Sequence, residues 1–136
     1  MVQQVNTLSH TDAMKIISVV QKELEKDGKG AAVAVVDAHG ELLAFLRTDG
    51  CRLASINIAM NKAFTAARER RESKALGDSS REKAYPLTYY GEFRYVGWGG
   101  GVPLVFQGEV IGGVGVSGLP EEVDMVLARL GAGALG

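Results

Sequence analysis

The chain has 136 residues, 46% of them hydrophobic and 23% charged, and a formal net charge of −1. Those values describe one globular domain, residues 1–136, with enough apolar side chains for a full core, and they exclude the basic surface that nucleic-acid binding needs. No apolar run approaches the roughly 18 to 20 residues that span a membrane, the opening MVQQVNTLSHTD lacks the basic and apolar regions of a leader, and the lone Cys51 cannot form an internal disulfide, so a reducing cytoplasm is expected.

In chain order, Ser9 is placed to cap a helix, with Asp12 three residues on. Ala13, Ile16, Ile17, Val20 and Leu24 then form one apolar stripe, and Gly28 suits the left-handed position after the last turn. AAVAVVD and ELLAFLRTDG flank an Asp37-Ala38-His39-Gly40 turn, which predicts a β-hairpin. A second helix is predicted from Leu53 to Glu72, with Leu53, Ile56, Met60, Ala63, Phe64 and Ala67 on one face. Its other face, with Asn57, Asn61, Lys62, Thr65 and Ile58, is weakly charged, and a subunit contact would cover it.

The mixed charges from Arg68 to Lys74 read as a solvated helix end, and Ser79 with Glu82 has capping-box spacing that Pro86 limits to a short helix. Strands are predicted in FRYVGW, PLVFQ and EVIGGVGVS, the last two joined at Gln107-Gly108. Pro120, Glu121 and Glu122 open a closing helix whose Val123, Val126, Leu127 and Leu130 should face inward. Helix, two strands, helix, three strands, helix, linked mostly by hairpins, make an antiparallel sheet with helices packed on it.

The stretch YVGWGGGVPLVFQGEVIGGVGVSG contains a literal G-x-G-x-x-G at Gly113, Gly115 and Gly118. A dinucleotide fingerprint needs a strand before those glycines and a helix opening at the third, whereas here they lie within a strand. The Gly99-Gly100-Gly101 run lacks the Gly-Lys-Ser/Thr of a phosphate loop. Alternation puts Ile111, Gly113, Gly115 and Ser117 on one strand face, a bare surface that calls for a close-packed helix or a flat ligand. The triple glycine either makes a special turn or points its amides at an anion.

AVVDAHGELLAFLRTDG, SINIAMNKAFTAA and GGGVPLVFQGEVIGGVGVSG, in that order, resemble the blocks of the GlcG/HbpS-like family, over about residues 9–134. That family includes haem-binding extracellular sensor partners, a glycolate-operon protein and the C-terminal domain of PduO-type adenosyltransferases. The resemblance implies a profilin-like α/β layered fold, a five-stranded antiparallel sheet with helices on its faces, assembled as homo-oligomers from dimers to octamers. It also admits haem as a cofactor. Haem-binding domains of the PduO kind use a histidine near the first helix as iron ligand, and here the one histidine near that helix is His10. Where the family usually has Ala after Asp-Gly, this chain has Cys51.

Lys62 is the one charge between Leu53 and Ala67; it either snorkels to water, meets an anionic ligand or acts as a base or amine nucleophile. Arg47 could clamp a carboxylate, while Asp49 reads as a turn residue. Six of the nine aromatics fall between Tyr85 and Trp98, as a local core, an oligomer surface or one wall of a ligand pocket. The site expected is therefore Arg47, Lys62 and the Gly99, Gly100 and Gly101 amides around an acidic group, with Tyr89, Tyr90, Tyr95 and Trp98 beside its apolar part. The function expected is a module that binds a small planar or acidic ligand. The alternative is a catabolic enzyme moving a proton, with Lys62 or a tyrosine as acid/base and the glycine amides holding an enolate-like oxyanion.

Overall fold

The computed structural model describes residues 1–135, as helices on both faces of a single antiparallel sheet. Helix α1 (His10–Lys26) begins where Ser9 Oγ accepts the Asp12 amide at 3.2 Å, and it buries the expected Ala13, Ile16, Ile17, Val20 and Leu24. Strands β1 (Ala32–Asp37) and β2 (Leu42–Arg47) form the expected hairpin, whose turn is closed by Asp37 Oδ1 accepting the His39 and Glu41 amides. Helix α2 (Ser55–Glu69), helix α3 (Ser73–Lys83) and a 3₁₀ turn (Leu87–Tyr90) carry the chain across to β3 (Gly101–Phe106). A Gln107-Gly108 turn leads into β4 (Glu109–Ser117), and α4 (Glu121–Gly133) closes the chain.

The sheet has four strands in the order β2-β1-β4-β3, not five. Phe93–Trp98, expected as a strand, has no strand partner: Val96 donates its amide to the Thr65 hydroxyl at 3.0 Å, and Ser73 Oγ donates to the Trp98 carbonyl at 2.7 Å. Side chains of α2 and α3 take the hydrogen bonds a sheet neighbour would have supplied, so the segment lies along helices instead. Nor does a helix start at Ser79. It starts at Ser73, with only Leu76 as a large buried apolar side chain, too little for a periodic signal.

Two layers of core lie either side of the sheet. Val33, Val35, Val114 and Val116 face α1 and α4, whereas Ala32, Ala34 and Val36 face α2 through Ala59, Ala63 and Ala67. On that second face β4 presents Gly115 opposite Ala34 and Gly113 opposite Val36, so the surface under α2 is nearly bare. The helix backbone settles onto it. A Cβ at Gly113 would stand 2.5 Å from the Ala63 carbonyl oxygen, and one at Gly115 would overlap the Ala59 carbonyl. Close helix-on-sheet packing is therefore what these glycines do.

That geometry changes which faces are buried. Helix α2 buries Ala63, Phe64 and Ala67 of the predicted face, whereas Leu53 precedes it, exposed, and Ile56 and Met60 are half-buried. On α4, Asp124, Leu127, Ala128 and Gly131 turn inward, while Val126 and Leu130 are exposed. A one-residue bulge between Leu104 and Val105 swings Ile111 away from the glycine face and into the α1/α4 core.

If backbone contact under α2 governs packing, Gly115→Ala should lower unfolding free energy by about 1–3 kcal/mol or more. Gly133→Ala, whose added Cβ meets nothing within 4 Å in α4, should be neutral or stabilising by up to about 1 kcal/mol. Urea denaturation of both variants measures the contrast, and equal midpoints would refute the packing argument.

Candidate functional site

Lys62 leaves α2 where the sheet is thinnest. Its backbone carbonyl lies against Gly101, and its side chain passes Gly100, where a Cβ would stand 2.9 Å from Nζ. The ammonium donates to the Val116 carbonyl at 2.9 Å and to Asp124 Oδ2 at 3.2 Å, and both side chains are about 3% exposed. Asp124 Oδ1 in turn accepts the Leu119 amide at 3.2 Å. Burial pushes the Lys62 amine down, against the charge and hydrogen bond of Asp124; burial likewise pushes the Asp124 carboxyl up, against Lys62. Both shifts run toward the neutral forms, because desolvation outweighs attraction in this pair.

Beside this pair a cleft of about 360 Å³ opens between the start of α2, Trp98 and the β4–α4 turn. Ser55, Lys62, Ser117, Arg52 and Glu121 supply its polar lining, and Ile58, Trp98 and Leu119 its apolar wall. Ser55 and Ser117 are each 5% exposed, and since no buried side-chain oxygen is left unpaired among the described residues, hydroxyls that make no protein hydrogen bond there meet solvent in the cleft. Arg52 makes no ion pair among the described residues. Glu121 Oε2 accepts the Gly99 amide at 2.7 Å, and Lys74 approaches its other oxygen at 3.9 Å.

The structure divides the expected constellation. Lys62 and Trp98 come together at the cleft, with the triple glycine behind them. Two of the three glycine amides are used internally: Gly99 donates to Glu121 and Gly101 to Ser73 Oγ at 2.8 Å, while the Gly100 carbonyl accepts the Val116 amide. Arg47 ends β2, exposed, outside this cleft. Tyr90 and Tyr95 stack at 4.5 Å, and Tyr95 meets Phe64 edge-on at 5.2 Å, forming a separate cluster with Arg94 4.0 Å from the Phe64 ring centre. The Tyr90 phenol is pushed up to about 12, first by its hydrogen bond with Tyr85 and then by burial. Tyr89 stands exposed, and His10 is the exposed first residue of α1. Burial raises the Cys51 thiol, with Arg47 opposing.

Arg52, Ser55, Ser117, Glu121 and Asp124 were not singled out from the sequence. Ser117 had a signal, since strand alternation places it on the glycine face. Asp124 had a fainter one, an acid three residues before Leu127 on the helix's inward side. Ser55 and Arg52 had none. Among the described residues no three His, Cys, Asp or Glu side chains gather as a metal site, and no helix is long and apolar enough to cross a membrane.

Residues 8–133 match the family described as haem degrading protein HbpS-like. The chain is 38% identical over 115 residues to protein GlcG of Escherichia coli, covering 81% of each. A double mutant of HbpS from Streptomyces reticuli superposes with a TM-score of 0.90 at 32% identity, covering 99% of this chain and 91% of that one. A PduOC:heme complex superposes with a TM-score of 0.86 at 29% identity, covering 94% of each chain.

Removing one partner of the buried pair strands the other. Lys62→Met should therefore cost about 3–5 kcal/mol, and pairing it with Asp124→Leu should recover much of that loss. A double-mutant cycle in urea tests this; additive losses would mean the two groups are not coupled.

Proposed function

Since the chain belongs to the HbpS-like family, we propose that it is a small-molecule-binding module whose ligand occupies the cleft between Arg52, Ser55, Ser117 and Trp98. The observation that carries this reading is the cleft lining itself, which sets the Ser55 and Ser117 hydroxyls beside the Arg52 guanidinium and the Trp98 indole. Hydroxyls that meet only solvent there are free to bond a ligand oxygen, a net gain of about 0.5–1.5 kcal/mol each. The Arg52 guanidinium, engaged in no ion pair among the described residues, matches the planar, bidentate geometry of a carboxylate. Trp98, Ile58 and Leu119 offer the apolar surface for the rest of the guest. The cleft volume of about 360 Å³ falls at the small end of ligand sites, which run from about 300 to 1,000 Å³. Lys62 and Trp98 stay in the proposed site, and the aromatic cluster of Tyr90 and Tyr95 lies outside it.

Haem is the ligand of one structural relative, a PduOC:heme complex. Haem iron takes an axial His, Cys, Met or Tyr, and none of these lines this cleft. His10 stands at the start of α1. His39 lines a different cleft, whose Arg70 is already engaged by the Ala38 and Val110 carbonyls. The residues at Lys62 therefore do not fit a haem held through its metal, and a metal-free organic acid suits them better. Exposed Tyr89 and Phe93, with Val126 and Leu130 on α4, are the surfaces we assign to contact between copies in a homo-oligomer.

Thermal shift with small aromatic and aliphatic carboxylic acids tests the reading. An acid at 100 times its Kd should add about 2.7 kcal/mol, and binding should change the fluorescence of Trp98, the single tryptophan. Arg52→Ala should weaken binding at least tenfold while leaving the melting temperature of the free protein unchanged. A sharp Soret band with hemin, lost in His10→Ala or His39→Ala but retained in Arg52→Ala, would instead place the functional site elsewhere.

A further inference from the structure

Lys62 is more than a strut. Among the described residues it is the one buried lysine, and it lines the same cleft as Ser55 and Ser117. Its two acceptors, the Val116 carbonyl and Asp124 Oδ2, tie the amine to a carboxyl group that is itself nearly dry. A lysine whose only role was to pair with Asp124 would need neither hydroxyls nor a guanidinium around an adjoining opening. Here an amine and a guanidinium border one space, and a carboxyl that can carry the amine's proton lies 3.2 Å behind it.

We propose that Lys62 forms a reversible imine with a 2-oxo acid held in this cleft, an inference that rests on the binding role proposed above. Arg52 takes the ligand carboxylate, and the serine hydroxyls donate to its carboxylate and carbonyl oxygens. Asp124, as carboxylate, accepts a proton from the Lys62 ammonium, leaving a neutral amine. The nitrogen lone pair attacks the carbonyl carbon; the C–N bond forms as the C=O π pair moves to oxygen, which takes a proton from the attacking nitrogen and becomes the hydroxyl of a carbinolamine. The proton on Asp124 then leaves with that hydroxyl as water, and the C=N⁺ bond closes. An ammonium and a ketone have become a protonated imine and one water, with no change of oxidation state. Desolvation favours the first transfer, because it already pushes the amine down and the acid up. Trp98 and Leu119 cover the cleft wall, where they would slow hydrolysis of the imine by excluding water.

Phenylpyruvate and 3-phenylpropionate separate this inference from the binding role, because they share a carboxylate and ring while only the first has the carbonyl. With phenylpyruvate and cyanoborohydride, which reduces an imine to a stable secondary amine, intact mass should show one adduct per chain. Peptide mapping of the natural protein should place that adduct on Lys62, and not on the more accessible Lys15, Lys22, Lys26, Lys29, Lys74 or Lys83. Asp124→Asn should slow trapping at least tenfold while 3-phenylpropionate still raises its melting temperature. Protection by both acids with no adduct, or with adducts scattered over the other lysines, would overturn the imine and leave the binding role standing. Protection by neither acid, with no adduct, would overturn both.

Discussion

A buried ammonium bridges the two layers of this protein. Lys62 starts on α2, on one side of the sheet, and ends at Asp124 on α4, which packs on the other. It can do so only at the end of β3, where Gly100 and Gly101 leave no Cβ in its way, and where the Val116 carbonyl supplies a second acceptor. Because each charge depends on the other for its solvation, the relative position of α2 and α4 is held by a directional contact as well as by apolar packing.

The glycines of β4 extend the same arrangement. With Gly113 and Gly115 beneath it, α2 approaches the sheet by backbone contact, which brings Lys62 within reach of Asp124. Ordinary side chains on that strand would lift the helix and with it the ammonium. Ala32, Ala34, Ala59, Ala63 and Ala67 complete a surface of small residues. Dispersion contacts across such a close interface replace the large apolar side chains that usually fill a helix–sheet junction.

The cleft forms where that close packing stops. At the end of β4, Ser117 still pairs with Ala32 of β1 but has no partner on β3, whose pairing stops at Gly115, and it faces an opening shared with the first turn of α2. Its border carries the Arg52 guanidinium, the Ser55 and Ser117 hydroxyls, the Glu121 carboxylate, the Lys62 amine backed by Asp124, and one indole along the side. That lining is the ground for the organic acid proposed above, although the fold is shared with a PduOC:heme complex. Relatives can keep the scaffold and change the guest by changing which side chains surround the gap.

Local pattern alone determined α1 with its Ser9 cap, the hairpin at Asp37-Ala38-His39-Gly40, the Gln107-Gly108 turn and the family blocks, because each depends on residues near in sequence whose spacing reports one helical or strand period. The sequence also marked Lys62 as unusual, a single charge amid small and apolar neighbours. Tertiary structure decided its partner: Asp124 lies 62 positions away, and nothing in either helix taken separately says that they meet. It likewise decided that Phe93–Trp98 is no strand, since a strand exists only if a second one offers its backbone, and here Thr65 and Ser73 side chains take those hydrogen bonds. The triple glycine read equally as a ligand cradle or a turn until the paths of Lys62, Glu121 and Ser73 showed the Gly99 and Gly101 amides and the empty Cβ positions used within the chain. Spacing along one element reports periodicity, whereas burial and pairing between elements depend on where the remaining chain goes.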